Sequence, residues 1–239
     1  MRSKLKRVPT GIVQLDEILG GGLPEGSTTL VAGGPGTGKT ILASQFIYFG
    51  AVKYGDKGVY VTFEEGAETF KNNMLSLGWN FERLREKGDV EILDLISLRE
   101  PEKAEVALDE IVEAVRALGA KRLVIDSITA LITVFREVAE VRGLISVLQK
   151  VLRGLGCTTI LTAEIPWGSK RLGTGAEEFI SDGIIMLEMI SRGNILRRRL
   201  IVLKMRATEI DLKYYQYDIS KNTGINLLPY PEAEGWSGE

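Results

Sequence analysis

Short hydrophobic runs alternate with longer amphipathic segments along most of this chain. Four runs have the length and the β-branched or aromatic content of buried strands, at residues 30–32, 59–63, 123–125 and 158–162. Residues 104–118 place Leu108, Ile111 and Val115 at helical spacing before Gly119, which predicts an amphipathic helix that ends there. Residues 138–152 have the same spacing and predict a second amphipathic helix.

The order of these elements predicts an α/β fold. Strands that alternate with helices form a mostly parallel central sheet with helices on both faces. After residue 183 the pattern changes to successive strands, at 183–189, up to about 206 and at 214–219, which predicts a C-terminal β-hairpin region. We expect a lead-in segment at 1–27, one core at 28–229 and a tail at 230–239.

The first predicted strand runs directly into a glycine-rich loop. Its sequence, Gly33-Gly34-Pro35-Gly36-Thr37-Gly38-Lys39-Thr40, fits the phosphate-binding pattern G-x-x-x-x-G-K-[ST] at every fixed position, and a helical segment follows. Glycines let backbone N–H groups wrap a phosphate, and the helix N-terminus adds donors and a positive dipole end. Lys39 suits the β- and γ-phosphates, and the Thr40 hydroxyl suits Mg²⁺. The loop therefore predicts binding of ATP or GTP.

Composition narrows the classes of function. The formal net charge is −2 over 239 residues, which gives no global attraction to nucleic acid or to anionic membranes. The chain has no histidine, which excludes histidine acid–base chemistry, and its one cysteine, Cys157, stands in an apolar run typical of a buried strand. Neither a signal sequence nor an apolar stretch of membrane-spanning length is found, so we expect a cytoplasmic protein without membrane association.

Carboxylates follow two of the predicted core strands. In a parallel sheet the ligand lies at the carboxyl ends of the strands, so polar residues at those ends are candidates for chemistry. Asp126 ends the run 123–125 and is the expected residue on the Mg²⁺ side of a nucleotide site. Glu64 and Glu65 end the run 59–63, and either carboxylate can orient and deprotonate a water for attack on a γ-phosphate. The spacing does not choose between the two.

Three groups of cations stand in the second half of the chain. Lys204 and Arg206 are expected on one face of a strand, with Leu203 and Met205 on the other. This spacing indicates a solvent-exposed face, although a cation pair on a strand can also stabilise transition-state charge. The three arginines at 197–199 indicate a solvated face or a subunit contact. Two cations in a glycine-bearing loop, Lys170 and Arg171, are a weak signal for nucleic-acid binding.

Together these motifs resemble the RecA-superfamily ATPases, and within them the KaiC-like group, over nearly the whole chain. The matching segments are the lead-in from Thr10 to Gly26, the loop at 33–40, Val61-Thr62-Phe63-Glu64-Glu65, Ser76-Leu77-Gly78-Trp79, Leu123-Val124-Ile125-Asp126-Ser127, Glu177 to Asp182 and Leu203 to Arg206. In combination these segments are far more specific than any one motif.

The resemblance implies a site that two subunits share. The family's members bind ATP and ADP with Mg²⁺, and they form homo-oligomeric rings, usually of six, with ATP between neighbours. Lys204 and Arg206 would then reach the γ-phosphate bound by the next subunit. This role replaces the solvent-exposed face that their spacing alone indicates. Ser76 and Thr208 match family positions near the nucleoside.

The chain also departs from the family pattern. It has the length of one domain, whereas some members carry two in tandem. The phosphoacceptor Ser-Thr pair of their second domain falls near Glu178 and Phe179 here, so self-phosphorylation at that place is not expected. Ala207 and Ile210 stand where the family commonly has a glycine and a histidine, which leaves the details of base recognition open.

The resemblance implies a slow, Mg²⁺-dependent ATPase with a role in signalling or regulation. Two alternatives stay open. A recombinase-like paralogue would use ATP to bind DNA, although a pI near 5.6 and the short basic loop argue against it. A nucleotide-switched signalling scaffold would have negligible turnover.

Overall fold

The fold is built around one large sheet in the computed structural model, which describes residues 5–98, 103–132, 138–165 and 181–228. The strands in chain order are β1 (Arg7–Val8), β2 (Leu23–Pro24), β3 (Thr28–Gly33), β4 (Gly58–Thr62), β5 (Val90–Asp94), β6 (Arg122–Asp126), β7 (Thr158–Glu164), β8 (Gly183–Arg192), β9 (Ile195–Met205), β10 (Tyr215–Ser220) and β11 (Gly224–Leu228). β1 pairs with β2, and the other strands form a nine-stranded sheet in the order β11-β10-β9-β8-β3-β7-β6-β4-β5.

Helices connect most of the strands of this sheet. They are α1 (Val13–Ile18), α2 (Lys39–Phe49), α3 (Ala67–Ser76), α4 (Phe81–Glu86), α5 (Ala104–Leu118), α6 (Ile128–Ile132) and α7 (Val138–Gly154), with a π-helical turn at Gly50–Tyr54 and a 3₁₀ turn at Ile96–Leu98. Within the described ranges, no helix combines the length and the apolar character that a membrane crossing requires.

The strand directions confirm the predicted mostly parallel sheet. β5, β4, β6, β7, β3 and β8 pair in parallel, so their carboxyl ends meet at one edge. β9, β10 and β11 continue the sheet in antiparallel order, which confirms the C-terminal hairpin region. β8 takes part in both, because it pairs in parallel with β3 and in antiparallel with β9. A strand's own sequence does not specify the direction of its neighbours, so the pattern alone could not assign this double role.

Apolar side chains cover both faces of the sheet, as alternation along the strands requires. Val31 points into one core, and its neighbour Leu30 points into the other. The first core contains Phe46 of α2 together with Leu15 and Leu19, which are fully buried residues of the lead-in. The second core is formed with α5, α6 and α7. The lead-in therefore packs as part of the same core as the strand that precedes the phosphate-binding loop.

A β-bulge changes the alternation near the end of β9. Ile184 faces Lys204 while Ile185 faces Val202, so Leu203 has no partner of its own on β8. Leu203 is exposed, whereas Met205 is buried, and the two do not share one face as the spacing predicted. The strand ends at Met205, so the residue after it, Arg206, lies in a turn.

A buried arginine ties several segments together at the amino edge of the sheet. Arg122 is 0% exposed, and its Nε and Nη2 atoms donate to Asp56 at 3.0 and 2.7 Å. Its Nη1 atom donates to the carbonyl oxygens of Pro9 at 2.6 Å and Phe46 at 3.0 Å. The lead-in, α2 and β6 are thus joined by one side chain, whose loss would leave buried carbonyls without donors.

We expect Arg122→Met to lower the free energy of unfolding by about 3 kcal/mol, because it unpairs Asp56 and removes the donors to two carbonyl groups. Urea unfolding followed by circular dichroism measures the change. The control is Arg83→Met at an exposed position of α4, with an expected effect within about 0.5 kcal/mol. Equal stability of the two variants would refute the role given to Arg122.

Candidate nucleotide-binding site

The glycine-rich loop connects the carboxyl end of β3 to the N-terminus of α2. Gly36 and Gly38 have φ angles of 75° and 93°, a left-handed conformation that glycine adopts without strain. The Lys39 ammonium donates to the carbonyl oxygens of Gly33 and Gly34 at 2.9 and 3.2 Å. Burial lowers the pKa of Lys39, and nearby carboxylates, Glu164 first among them, oppose that shift. The loop thus holds a cation over a helix N-terminus, an arrangement that suits phosphate.

Asp126 is the centre of a buried hydrogen-bond network beside this loop. Its Oδ2 atom accepts from the Thr40 hydroxyl at 2.8 Å and from the Tyr60 hydroxyl at 2.6 Å, and its Oδ1 atom accepts from Thr162. The carboxylate is 8% exposed. Burial raises the pKa of Tyr60 well above its ordinary value, so this phenol remains a donor to the carboxylate. Three elements therefore fix the orientation of Asp126.

The donor set around Thr40 fits a magnesium ion. Mg²⁺ takes oxygen ligands and is usually held by one or two carboxylates together with substrate phosphates. Thr40 and Asp126 supply a hydroxyl and a carboxylate 2.8 Å apart, next to the phosphate-binding loop. These two residues, which the sequence predicts on the Mg²⁺ side of the site, are the ones that would hold the ion.

The two glutamates after β4 point to different partners. Glu64 accepts from the hydroxyl of Ser127, the residue that follows Asp126. Glu65 accepts from the Asn73 amide of α3 at 3.0 Å. Burial raises the pKa of Glu65, and the hydrogen bond from Asn73 opposes that rise. The structure therefore distinguishes two carboxylates that the sequence left equivalent.

The first turn of α2, the carboxylates after β4 and β6, and α3 line one cleft of about 640 Å³. It is lined by Thr40, Ile41, Thr62, Glu64, Glu65, Asn73, Met74, Ser76, Leu77 and Asp126. Ser76, predicted near the nucleoside, lies in this cleft and donates to the carbonyl oxygen of Asn73 at 2.7 Å. Of the residues that the sequence singled out, this cleft brings together Thr40, Glu64, Glu65, Ser76 and Asp126, whereas residues 33–39 are not part of its lining.

Lys204, Arg206 and Thr208 lie elsewhere. Met205 pairs with Gly183, which pairs with Thr29 near the beginning of β3, so the end of β9 lies at the amino edge of the parallel strands. Lys204 donates to the carbonyl oxygen of Ser181 at 2.6 Å, and Arg206 forms an ion pair with Asp182 at 3.2 Å.

The turn that follows β9 is held by the lead-in. The Arg7 guanidinium donates to the Thr208 hydroxyl at 2.6 Å and to the Ala207 carbonyl oxygen at 2.8 Å. Ala207 has a φ of 55°, a left-handed conformation in which a side chain is strained. Thr208 therefore faces Arg7 rather than the cleft of its own chain.

The arginine run at 197–199 is not simply a solvated face. Arg198 donates to the carbonyl oxygen of Gly36 in the phosphate-binding loop at 3.1 Å. Arg199 pairs with Glu188 at 2.7 Å and lies over the Tyr214 ring at 3.7 Å. The other basic candidates, Lys170 and Arg171, lie outside the described residues, as do Glu178 and Phe179.

Comparison with known proteins identifies the family. The family model "ATPase: KaiC" matches residues 8–232. The chain belongs to the KaiC family of ATPases. A UPF0273 protein of Methanocaldococcus jannaschii is 37% identical over 238 residues, which cover 94% of this chain and 97% of that protein. The crystal structure of a KaiC-like protein of Pyrococcus horikoshii OT3 has a TM-score of 0.85 at 40% identity, and the match covers 95% of this chain and 100% of that one.

Family membership agrees with the nucleotide site described above, since the KaiC family has a RecA-like ATP-binding fold. The circadian clock oscillator protein KaiC of Thermosynechococcus vestitus is 38% identical over 236 residues. That match covers 95% of this chain but only 45% of KaiC. The chain therefore spans just under half the length of that relative.

Several residues of the site were not singled out from the sequence. Tyr60, Ser127 and Thr162 hold the carboxylates Asp126 and Glu64. In β-branched or aromatic strands Tyr60 and Thr162 have the same pattern as core residues, so no local signal marks them. Ser127 stands in a segment that matches the family, but its spacing does not indicate that it donates to Glu64. Glu164 is different, because it ends β7 directly beside the loop strand, where it pairs with Gly33. The rule that pointed to Asp126, a carboxylate at a strand's carboxyl end, also finds Glu164.

We expect Asp126→Asn to raise the Mg²⁺ concentration needed for half-maximal stabilisation of the ADP complex about 10- to 100-fold. The amide removes the charge that would attract the ion and the hydrogen-bonded orientation of Thr40. Thermal melts with ADP across a Mg²⁺ titration, with a chelator as the zero point, measure the shift. Asp211→Asn, at an exposed aspartate, is the control and should titrate like the wild type. Identical Mg²⁺ titrations for both variants would remove Asp126 from the metal site.

Proposed function

We propose that the chain is a Mg²⁺-dependent ATPase that works as a homo-oligomeric ring, with each ATP bound between two neighbouring copies. One observation carries the proposal: the phosphate-binding loop and the Lys204–Arg206 pair lie at opposite edges of the same sheet. Met205 is level with Thr29, whereas the loop leaves β3 after Gly33. Thr29 and Gly33 are four residues apart on β3, which is about 13 Å along the strand. The distance across the sheet from β9 to β3 adds to this separation.

This separation favours a contact between copies over a contact within one chain. A chain cannot bring its own Arg206 to its own loop without breaking the pairing of β8 with β9. A neighbouring copy can place the edge of its sheet that carries Arg206 against the edge that carries the phosphate-binding loop. Because these two surfaces differ, the contact is heterologous, and its repetition generates a ring when the rotation between copies closes and an open filament when it does not. Six copies is the number that the family resemblance implies.

In the proposed reaction a water oxygen attacks the γ-phosphorus of ATP. The bond from that phosphorus to the bridging oxygen breaks, and ADP and inorganic phosphate form. Glu64 takes a proton from the attacking water, and Lys39 with the loop N–H groups balances the phosphate charge. When bound, Mg²⁺ supplies positive charge at the β- and γ-phosphate oxygens, and Thr40 and Asp126 would hold it.

Glu64 is the better supported of the two candidate bases. Its carboxylate acts on the Lys39 ammonium electrostatically, and Lys39 is the residue that suits the γ-phosphate. Its bond to Ser127 also keeps it beside Asp126. Glu65 instead turns towards Asn73, on the α3 side of the cleft. We assign proton transfer to Glu64 and support of the cleft wall to Glu65.

The other half of the site would come from the next copy. In the isolated chain Arg206 is bound to Asp182, whose carboxylate also accepts from Arg153 at 2.7 Å and from the Thr28 backbone N–H at 3.0 Å. Arg206 is nevertheless 62% exposed at its side chain, so it is available to a ligand of a neighbour. A cation of this kind stabilises the charge that develops on the transferred phosphoryl group.

The likeness to a circadian clock oscillator protein favours use of this ATPase in signalling or regulation rather than in bulk metabolism. We therefore propose slow turnover. A steady-state rate of phosphate release, measured on the assembled protein, tests this part of the proposal.

We expect Glu64→Gln to lower kcat at least about 100-fold with ATP binding retained, because the amide cannot accept the proton. Glu65→Gln should lower kcat by less than about tenfold, since its role is indirect. Phosphate release and calorimetric ATP binding measure the two effects separately. Lys39→Ala is the control for a lost site and should abolish ATP binding. A larger loss of kcat in Glu65→Gln than in Glu64→Gln would show that Glu65, and not Glu64, takes the proton.

We expect Arg206→Ala to bind ATP yet lose about 10³-fold in turnover, because transition-state charge is left uncompensated. An equimolar mixture with a Glu64→Gln/Glu65→Gln chain, assembled together, should recover about one quarter of the wild-type rate, the fraction of sites with an intact loop beside an intact Arg206.

The matched control mixes Arg206→Ala with an Arg206→Ala/Glu64→Gln chain, in which no site has both halves. That mixture should stay inactive. If the first mixture also stays inactive at every ratio, while subunit exchange is verified, catalysis in trans is wrong.

A further inference from the structure

Side chains of the C-terminal antiparallel strands contact the backbone of the phosphate-binding loop. The Tyr217 hydroxyl of β10 donates to the carbonyl oxygen of Thr37. Tyr217 is 0% exposed, and burial raises the pKa of its phenol, so the group is a proton donor at any physiological pH. A buried tyrosine hydroxyl thus makes its hydrogen bond to the backbone of the loop itself.

This bond sets the orientation of one peptide group in the loop. In a trans peptide the carbonyl of one residue and the N–H of the next point in opposite directions. With the Thr37 carbonyl turned towards Tyr217, the N–H of Gly38 is turned away from β10. Gly38 directly precedes Lys39, and backbone N–H groups at this part of the loop are those that cradle phosphates.

Two further contacts hold the same stretch. The Arg198 Nε atom of β9 donates to the carbonyl oxygen of Gly36 at 3.1 Å. A Cβ atom placed on Gly38 would lie 2.8 Å from Cδ1 of Ile219, so the loop backbone packs against this side chain of β10. The carbonyl oxygens of Gly36 and Thr37 therefore accept hydrogen bonds from side chains of β9 and β10, and the residue after them, Gly38, packs against β10.

We propose that Tyr217 is a positioning residue for phosphate binding, supported by Arg198. Neither side chain is required to touch the nucleotide. Both act through the loop backbone, by keeping the carbonyls of Thr37 and Gly36 turned away from the phosphates. The inference rests on the proposed binding of ATP at this loop and assigns part of its affinity to strands on the other side of β8.

The physical reason is preorganisation. A loop that already has the bound conformation loses less freedom when the ligand arrives. Without the Tyr217 hydroxyl the Thr37 carbonyl is left without its donor, and the peptide gains alternative orientations that cannot bind phosphate. A single lost hydrogen bond of this kind corresponds to about a five- to tenfold change in an equilibrium constant.

The test is calorimetric titration of ADP with Mg²⁺ into full-length wild-type protein and Tyr217→Phe at 25 °C, with the thermal midpoint of the ligand-free protein measured in parallel. We expect Kd for ADP to rise about five- to tenfold in Tyr217→Phe. The matched control is Thr158→Val, which also removes a buried hydrogen bond, from the Gly26 N–H to Thr158 at 2.9 Å, but at the amino edge of the sheet. It should lower the thermal midpoint and leave Kd unchanged.

Arg198→Lys is the second variant, because its partly exposed position carries little risk to folding. It keeps the charge but removes the Nε donor, so we expect about a threefold rise in Kd for ADP. The inference is overturned if neither variant changes Kd, or if Thr158→Val weakens ADP binding as much as Tyr217→Phe does. If the wild type itself binds no ADP, the proposed function is wrong. If the wild type binds ADP and the variants bind it equally well, only the role given to Tyr217 and Arg198 is wrong.

Discussion

The direction of the strands governs how this chain can build a nucleotide site. Six strands run in parallel and bring their carboxyl ends to one edge of the sheet. The loop, Asp126 and Glu64 follow these strand ends, so the direction of the strands alone brings them together. β9 runs the other way and brings Lys204 to the opposite edge. In the ring that we propose, each copy would contribute one half of a site from each edge of its sheet. The ring we propose is the arrangement that uses both halves.

Buried polar groups then fix the loop half. Asp126 accepts from residues on α2, β4 and β7, and the loop carbonyl of Thr37 accepts from Tyr217 on β10. In a low-dielectric interior each of these groups is costly without its partner, so the hydrogen bonds and the strand register support one another. Both the parallel and the antiparallel part of the sheet therefore contribute hydrogen bonds around the loop.

Much of this arrangement could be predicted from the sequence, because its signals are local. The loop from Gly33 to Thr40 and the carboxylate Asp126 are marked by spacing and by the ends of apolar runs. Tyr217 is not marked, since a tyrosine in a strand has the same pattern whether or not its hydroxyl is used. The bulge at Leu203 depends on the exact register of β9 on β8, and the contact of Arg198 depends on the sheet order that brings β9 close to the loop; the pattern of apolar and polar residues specifies neither.

The central claim is that two copies share each site, and a crystal structure of the assembled protein with Mg²⁺ and a non-hydrolysable ATP analogue tests it most directly. The account predicts that the γ-phosphate beside Lys39 of one copy lies within hydrogen-bond distance of Lys204 or Arg206 of the next. An assembly in which only residues of one chain surround the γ-phosphate would contradict it.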